Sequence, residues 1–247
     1  MPRFFINESN ININEGETIV TLTGDDAHHI SRSLRMAAGE KIEVCDESGM
    51  VYLCELVGFF EKEVTCRVLE SAPAISEPRI KITLYQALPK ADKMETIIQK
   101  SIECGVYKIV PFRSEHCVVK LDSKDGEKKR ERWQKIAESA AKQSGRGIIP
   151  EVSTPLDFKI AVERASQSDL VLFCNERERE RSLKDILKGT RAKSISVIIG
   201  AEGGFSQKEA DYIEQSGGTS ISLGKRILRC ETAPTFILSA ISYETEM

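Results

Sequence analysis

The sequence predicts an α/β protein with two domains, a small β-rich domain followed by a larger domain built on a mostly parallel sheet. Three observations support this prediction. The first 70 residues contain short strand patterns, a proline-containing segment then interrupts the chain, and beyond it strands alternate with helices. With 247 residues, of which 40% are hydrophobic, the chain is long enough to fill two modest cores.

The first domain is predicted from four short runs of strand-forming residues, with turns around Gly39 and around Ser48. These runs are Thr18–Leu22, Lys41–Cys45, Val51–Gly58 and Val64–Leu69. One helix, Asp25–Arg35, interrupts them, and its acidic first turn suits the positive end of a helix dipole. The pattern indicates a small barrel.

The two domains are separated by a segment of small and polar residues, SAPAISEP at 71–78. It contains two prolines, which lack the amide donor that a helix interior or a central strand requires. We therefore place the first domain at residues 1–72, the linker at 73–79 and the second domain at 80–247.

Beyond the linker, strands alternate with helices, which indicates a parallel sheet covered on both faces. The strands are Ile80–Ala87, Tyr107–Pro111, Leu170–Asn175, Ile195–Gly200 and Ser220–Leu223, and the helices are Asp92–Cys104, Lys124–Ser144, Gln207–Gln215 and one that begins at Thr232. Asp92 and Ser206 are each followed three positions later by Glu, which predicts a capping box at both helix starts. Gly105 and Gly145 lie where a helix should end.

Composition indicates a cytoplasmic protein with no membrane segment. No run approaches the roughly 20 apolar residues of a membrane helix, and the N-terminal MPRFFINESN does not resemble a signal peptide. The seven cysteines have no C-x-x-C spacing, so neither a disulfide framework nor a metal cluster is expected.

The charge is unevenly distributed along the chain. Residues 1–76 contain 6 Lys/Arg against 13 Asp/Glu, a net charge of −7, whereas residues 77–150 contain 16 against 10, a net charge of +6. The basic middle fits either an RNA-facing surface or a solvated helix face.

Several catalytic motifs are missing from the sequence. There is no G-x-x-x-x-G-K-[ST] phosphate loop, no G-x-S-x-G elbow, and no G-x-G-x-x-G after the first strand of the second domain. His28, His29 and His116 lack the partners of a metal site or a Ser-His-Asp triad, so packing or surface roles are the simpler interpretation.

The residues most typical of a binding site follow the strand that ends at Ile199. There the chain reads GAEGGFS (200–206), with three glycines in five positions at the carboxyl end of a strand, where open α/β sheets bind ligands. The alternative is a tight turn between a strand and a helix. Glu202 would repel a phosphate, which favours a ligand that is cationic or rich in hydrogen-bond donors.

A second block, SLGKRILRCETAP (222–234), presents a basic loop between a strand and the last helix. Lys225, Arg226 and Arg229 lie close in sequence to Glu231. Alone, this loop fits a helix entry with surface ion pairs, but beside the glycine loop it fits the opposite wall of a pocket.

The strings IGAEGGFS (199–206) and LGKRILRCETAP (223–234) resemble the two signature loops of the SPOUT superfamily of RNA methyltransferases, and more closely those of the ribosomal small subunit methyltransferase E (RsmE) family. Residues 28–49, 88–120 and 132–152 resemble other blocks of that family, so that nearly the whole chain is covered. Two positions depart from the family pattern: Ala201 stands where the family usually has Pro, and Cys230 where it usually has Thr.

The resemblance implies an N-terminal PUA-like β-barrel that binds RNA, a C-terminal SPOUT α/β domain with a deep trefoil knot, and a homodimer. It also implies transfer of a methyl group from S-adenosylmethionine to N3 of a uridine in 16S ribosomal RNA, with the assembled small subunit as the expected substrate. Pattern alone would have favoured an unknotted sheet.

The same resemblance implies roles for particular residues. The expected cofactor-binding residues are Phe173, Asn175, Glu176, Ile199, Gly200, Gly203, Leu223, Gly224, Ile227 and Leu228. The expected catalytic residues are Arg146, Glu202 and Arg229, with Arg146 or Arg229 stabilising the uridine anion and Glu202 positioning the substrate or accepting its proton. Arg113 and Arg226 are expected to contact RNA phosphates.

Two other classes of function stay open at this point. A non-enzymatic RNA-binding or ribosome assembly protein would keep RNA affinity without cofactor affinity, although intact glycine loops favour an occupied pocket. A nucleotide-dependent oxidoreductase would need a glycine fingerprint that the sequence lacks.

Overall fold

A computed structural model describes residues 1–14, 16–119 and 121–247 of the chain. The chain divides into two compact units, residues 1–77 with 141–149, and residues 78–140 with 150–247. The segment 141–149 therefore belongs to the first unit, whereas the sequence analysis placed it in the second domain.

Ion pairs and hydrogen bonds attach this segment to the first unit. Arg3 donates to the backbone oxygen of Arg146 at 2.9 Å, and Lys142 pairs with Asp26 at 2.8 Å. Arg146 itself pairs with Glu77 at 2.6 Å. Because these partners are about 70 to 140 positions apart in the chain, local sequence patterns carry no information about them.

The first unit contains a six-stranded sheet that is antiparallel except for one parallel pair of strands. Its strands are β1 (Arg3–Phe5), β2 (Ile11–Asn14), β3 (Glu17–Thr23), β4 (Lys41–Cys45), β5 (Met50–Phe59) and β6 (Glu63–Pro73). Their order is β1-β4-β5-β6-β3-β2, and β1 is the strand that runs parallel to its neighbour. The β-rich first domain and its four predicted strands are confirmed, and the sequence analysis missed β1 and β2.

The core of this sheet follows from alternation of apolar residues. Val20 and Leu22 of β3, like Ile42 and Val44 of β4, are two positions apart and point to one buried face. The predicted helix is present as α1 (Gly24–His28), which continues as one π-helical turn through Ser33.

The second unit is built on a sheet in which every pairing is parallel. Its strands are β7 (Lys81–Ala87), β8 (Lys108–Arg113), β9 (Glu151–Val152), β10 (Leu156–Asp157), β11 (Leu170–Cys174), β12 (Ser194–Ile199) and β13 (Thr219–Ile221). Their order is β10-β8-β7-β12-β11-β13, with β9 beside β8. The predicted mostly parallel sheet is therefore confirmed, while the trefoil knot stays a prediction.

Helices connect these strands. They are α2 (Lys93–Glu103), α3 (Ser123–Ser144), α4 (Phe158–Ala165), α5 (Leu183–Leu187), α6 (Gln207–Gln215) and α7 (Ala233–Glu246). Gly105 and Gly145 end α2 and α3 with positive φ angles of 87° and 68°, as the sequence predicts. The helices α4 and α5 were not predicted from the sequence.

One of the two predicted capping boxes is present. Ser206 and Glu209 form it at the start of α6, each side chain accepting a hydrogen bond from the other's backbone amide. The prediction at Asp92 is wrong: its side chain makes no cap, and Glu95 instead pairs with Arg132 at 2.7 Å. The Glu95 carboxylate, which the local pattern assigned to the start of α2, is bound by Arg132 from another helix.

Sheet order places the loops of interest together. Strands β11, β12 and β13 are neighbours and run parallel, so their carboxyl ends meet at one edge of the sheet. The glycine loop (200–206) follows β12, and the basic loop (222–232) follows β13. The two loops singled out in the sequence are thereby brought to the same edge.

Candidate functional site

A cleft of about 480 Å³ opens at the carboxyl ends of β11, β12 and β13. The segment after β11, the glycine loop, the basic loop and the first residue of α2 line it. Its volume lies within the range of about 300–1,000 Å³ that small-molecule sites occupy. The cleft is large enough for a nucleoside-sized ligand.

The glycine loop is compact because protein groups pack against it. A Cβ at Gly203 would lie 2.9 Å from the Cβ of His116, and a Cβ at Gly204 would lie 2.8 Å from the Glu176 carboxylate. Gly204 has a φ of 63° and donates its amide hydrogen to the Ala201 backbone oxygen at 2.9 Å. These glycines are therefore required by the fold of the loop itself, in addition to any ligand.

Hydrogen bonds fix the glycine loop to the segment after β8. Glu209, which closes the capping box of α6, also accepts from the Glu115 backbone amide at 2.8 Å. The next residue, His116, places Nδ1 2.8 Å from the Gly203 backbone oxygen. Glu209 is buried, so the bond that its carboxylate accepts from Glu115 forms in partly dry surroundings, where it is stronger than in water.

Lys93 connects the two loops that form the walls of the cleft. Its Nζ lies 2.9 Å from Oε1 of Glu202 in the glycine loop and 3.3 Å from Oε2 of Glu231 in the basic loop. The Lys90 backbone amide donates to the same Glu202 oxygen at 3.1 Å. One ammonium group at the start of α2 thus bridges two carboxylates from separate segments of the chain.

This arrangement sets the protonation of the acidic groups. Partial burial raises the pKa of Glu202, but the hydrogen bonds from Lys93 and from backbone amides outweigh burial and hold its pKa below the ordinary value. Burial also raises the pKa of Glu231, but its hydrogen bonds and the charge of Lys93 outweigh burial and lower that pKa. Both side chains are therefore carboxylates at neutral pH, and a carboxylate with a lowered pKa is a weak proton acceptor.

Cys230 lies buried between these groups. Burial and a hydrogen bond to Glu231 raise the pKa of its thiol to about 12, so it is a neutral thiol at physiological pH. Its Sγ donates to Oε2 of Glu231 at 3.2 Å. The departure from Thr at this position thus keeps a hydrogen-bond donor, although a weaker one.

The structure brings most of the expected cofactor-binding residues to the cleft. Those that line it are Asn175, Glu176, Ile199, Gly200, Gly203, Leu223, Gly224, Ile227 and Leu228. Phe173 is fully buried beneath it and packs edge-to-face on Phe205, with ring centroids 6.2 Å apart. Phe173 therefore supports the site through the core.

The expected catalytic and RNA-binding residues are divided between the cleft and other places. Glu202, Arg226 and Arg229 line the cleft. Arg146 lies in the first unit, where it is 3% exposed and pairs with Glu77. Arg113 pairs with Asp157 at 2.7 Å and does not line the cleft. The chemical roles of all these residues stay predictions.

Lys93 and Arg179 also line the cleft, and neither was expected there from the sequence. The only sequence signal at Lys93 was its place in the supposed capping box, which concerns helix formation. Its proximity to Glu202 and Glu231 depends on tertiary structure.

Within the described ranges there is no group of three or more His, Cys, Asp or Glu residues arranged to hold a metal ion. The helices of the described chain include none that is both long and apolar enough to span a membrane.

The chain is similar to known proteins over nearly its whole length. A family model described as RNA methyltransferase domain matches residues 76–242, and one described as RNA methyltransferase PUA domain matches residues 22–69. The ribosomal RNA small subunit methyltransferase E of Bacillus subtilis is 37% identical over 255 residues, covering 100% of this chain and 98% of that protein. The protein of the same name from Mesomycoplasma hyopneumoniae is 35% identical, covering 97% and 98%.

A solved structure of the Neisseria gonorrhoeae ribosomal RNA small subunit methyltransferase E, bound to S-adenosylmethionine, is also similar. It is 30% identical and superposes with a TM-score of 0.85, covering 98% of this chain and 97% of that one. The similarity in sequence and in fold therefore spans both units.

Proposed function

This chain belongs to the ribosomal RNA small subunit methyltransferase E family, and we propose that it transfers a methyl group from S-adenosylmethionine to N3 of a uridine in 16S ribosomal RNA of the assembled small subunit. The observation that carries the proposal is the cleft between the glycine and basic loops, because both of its walls come from the motifs that resemble the family signatures.

The residues of the cleft fit S-adenosylmethionine. Leu223, Ile227 and Leu228 offer an apolar surface for an adenine ring, and Ile227 is 82% exposed, so a ligand that covers it gains hydrophobic free energy. Glu202 and Glu231 place negative charge beside the cleft, which suits a cationic ligand. Bound S-adenosylmethionine supplies an electrophilic methyl group on a positively charged sulfur.

The protein must then favour the uridine anion, since N3 carries a proton and is a poor nucleophile while it does. Release of that proton to solvent water spreads negative charge onto the two flanking carbonyl oxygens. Arg229 lines the cleft and is exposed, and its guanidinium presents a fork of donors that matches two oxygen acceptors, so we assign it the stabilisation of that anion. Arg226, on the same loop, is assigned to a phosphate of the RNA.

Glu202 is better suited to positioning than to accepting the proton. Its carboxylate already accepts from Lys93 and from the Lys90 amide, and its pKa is lowered. We propose that it orients the substrate edge and holds the glycine loop. Arg146 is paired with Glu77 in the first unit, so we assign it a structural role and leave the anion to Arg229.

The proposal extends to the assembly and location of the protein. A homodimer is supported by α7, on which Phe236 is 41% and Tyr243 70% exposed, an apolar surface that a second copy would cover. Sedimentation equilibrium measures the mass of the protein in solution, and the mass of a single chain would contradict the homodimer. Because the proposed substrate is ribosomal, we place the protein in the cytoplasm.

The first experiment is a calorimetric titration of the protein with S-adenosylmethionine, followed by incubation with small subunits from a bacterial strain that lacks its own enzyme. We expect one site per chain, incorporation of labelled methyl groups, and 3-methyluridine in nuclease digests analysed by mass spectrometry. RNA binding without cofactor binding would contradict the proposal and indicate a non-enzymatic RNA-binding or assembly protein.

A second experiment tests the role of Arg229. We expect Arg229→Ala to lower kcat about 10²–10³-fold, as loss of one anion-stabilising donor does in other enzymes, without a change in melting temperature. Lys225→Ala is the matched control, since Lys225 is an exposed cation of the same loop that does not line the cleft. Equal losses in the two variants would show that the net charge of the loop matters and that Arg229 has no particular role.

A further inference from the structure

The side chain of Gln86 is an amide that lies fully buried near the end of β7. Leu84 and Ala87, on the same strand, are apolar and also fully buried. Burying an amide is unfavourable unless its polar atoms form hydrogen bonds, so an apolar residue is the usual occupant of such a position. Oε1 of Gln86 has no hydrogen-bond partner among the described residues. The reason for an amide at this position therefore lies with its donor group, Nε2.

The donor group of Gln86 binds the first residue of the glycine loop. Nε2 donates to the Gly200 backbone oxygen at 3.3 Å and to the Ala87 backbone oxygen at 3.0 Å. Both acceptors are carbonyl oxygens, so a rotated amide would place Oε1 against two oxygens, and the observed orientation is the favourable one. The unpaired Oε1 is thus a consequence of directing the donor at Gly200.

The Gln86 side chain acts where the backbone pairing of β7 with β12 stops. The two strands pair in parallel register as far as Gln86 and Ile199. Beyond that point the Leu88 amide is committed to β8, because it donates to the Phe112 oxygen at 2.9 Å. Gly200 is buried but lies outside the strand, so its backbone oxygen needs a donor other than the sheet. Gln86 provides that donor.

The segment after β7 holds the glycine loop at a second point. The Lys90 amide and the Lys93 ammonium group both donate to Oε1 of Glu202, at 3.1 and 2.9 Å. These two contacts are exposed to solvent, whereas the contact between Gln86 and Gly200 is buried. A buried hydrogen bond meets less competition from water. Gln86 therefore fixes the base of the loop, and the contacts of Glu202 hold the loop two residues further along.

We propose that Gln86 is a positioning residue for the binding of S-adenosylmethionine, because it holds the Gly200 carbonyl and so fixes the glycine loop as a wall of the cleft. This inference rests on the proposed function for the identity of the ligand. Gly200 lines the cleft and Gln86 does not, so Gln86 acts through the loop. A wall that is fixed before the ligand arrives needs less ordering on binding, which raises affinity without a new contact.

The test compares Gln86→Met, Gln86→Asn and Ser101→Ala in the full-length protein. Methionine fills a similar volume without a donor, and asparagine keeps the amide on a shorter side chain, which withdraws the donor from Gly200. Ser101, on α2, is the matched control, since it is fully buried and its Oγ also has no partner among the described residues. Hydrogen exchange of the ligand-free protein, calorimetric affinity for S-adenosylmethionine, methylation kinetics and melting temperature are measured for each variant.

We expect Gln86→Met to weaken S-adenosylmethionine binding about tenfold and to raise the KM for it by a similar factor, with kcat changed less than about threefold. Amides of residues 199–206 should exchange about tenfold faster in the ligand-free variant, while those of α4 exchange as in the wild type. The melting temperature should shift by less than about 3 °C, because removal of the unpaired Oε1 offsets the two lost hydrogen bonds. Gln86→Asn should show the same changes, and Ser101→Ala should leave affinity and loop exchange unchanged.

Wild-type affinity and wild-type loop exchange in the Gln86 variants would overturn the inference, and Gln86→Asn decides if Gln86→Met does not fold. A lower melting temperature with unchanged affinity would also overturn it, since Gln86 would then serve the fold alone. An equal loss of affinity in Ser101→Ala would overturn it as well. Absence of S-adenosylmethionine binding in the wild type would contradict the proposed function and with it the ligand, whereas faster loop exchange in the Gln86 variants would still show that Gln86 positions the loop.

Discussion

Replacing Arg146 with Met tests whether this residue stabilises the fold or takes part in the chemistry. Its guanidinium makes two hydrogen bonds to Glu77, from Nε to Oε1 at 2.9 Å and from Nη2 to Oε2 at 2.6 Å. Arg146 is 3% exposed, and the Glu77 side chain is 21% exposed. Methionine keeps an unbranched side chain there but leaves the carboxylate without its counter-ion.

The expected cost follows from this geometry. Removing one member of a buried ion pair costs about 3–5 kcal/mol, because the remaining charge is left uncompensated. Glu77 is partly exposed and keeps its hydrogen bond from the Gly147 amide at 2.7 Å, so we take the lower part of that range. For a chain of this size, each kcal/mol corresponds to about 2–4 °C, so the melting temperature should fall by about 5–15 °C.

Differential scanning calorimetry measures this change, and the double variant Arg146→Met with Glu77→Gln provides the control. The double variant should recover part of the loss, because the unpaired charge is gone while Gln keeps an acceptor for the Gly147 amide. A melting temperature within 2 °C of the wild type in the single variant, together with a large loss of methylation, would refute the structural argument. That result would instead support the catalytic role that the resemblance implies.

Three further predictions concern the cleft. Lys93→Met should weaken S-adenosylmethionine binding roughly threefold to tenfold in a calorimetric titration, because without the bridge to Glu202 and Glu231 the two loops that form the cleft are no longer held together, and we expect this loss to exceed the gain from the unmasked negative charge. Lys100→Met, on the same helix but outside the cleft, should leave the affinity unchanged, and stronger binding in Lys93→Met would show that the charge effect dominates. Gly204→Ala should weaken cofactor binding roughly tenfold in the same assay, since alanine is disfavoured at a φ of 63° and its Cβ would displace the Glu176 carboxylate, 2.8 Å away; unchanged binding would show that the loop can shift. The pKa of Glu202 is below its ordinary value of 4.5, so its contribution to stability is full above pH 4.5 and is lost as the pH falls through the lowered pKa. Melting temperatures measured from pH 6 to pH 3 should therefore fall less steeply in Lys93→Met than in the wild type, and identical profiles would contradict the assigned pairing.

Sequence patterns predicted the long elements of the fold well. Strand β12 is a continuous apolar run, helices α2 and α6 are amphipathic, and Gly105 and Gly145 end their helices as expected. The strands β9 and β10, each two residues long, were missed because a pattern that short has no period. Their formation depends on pairing with β8.

The resemblance of two short strings singled out two loops, and the structure shows which other residues line the same cleft. The glycine and basic loops do form the walls of one cleft, since β12, β11 and β13 are adjacent and parallel. Lys93, which bridges Glu202 and Glu231, had no recognisable motif. Arg146, which the resemblance places in the chemistry, is paired with Glu77 in the first unit, and its catalytic role stays a prediction.

The sequence by itself therefore determined the fold class, the family and the two loops of the site, because each of these is recorded in local patterns of residues. Only the tertiary structure decided which charged groups meet. Lys93 reaches acids more than 100 positions away, and Arg146 pairs with an acid about 70 positions before it. Such pairings depend on sheet order and on the packing of separate segments. The Coulombic energy of two charges depends on the distance between them in space, and local sequence does not encode that distance.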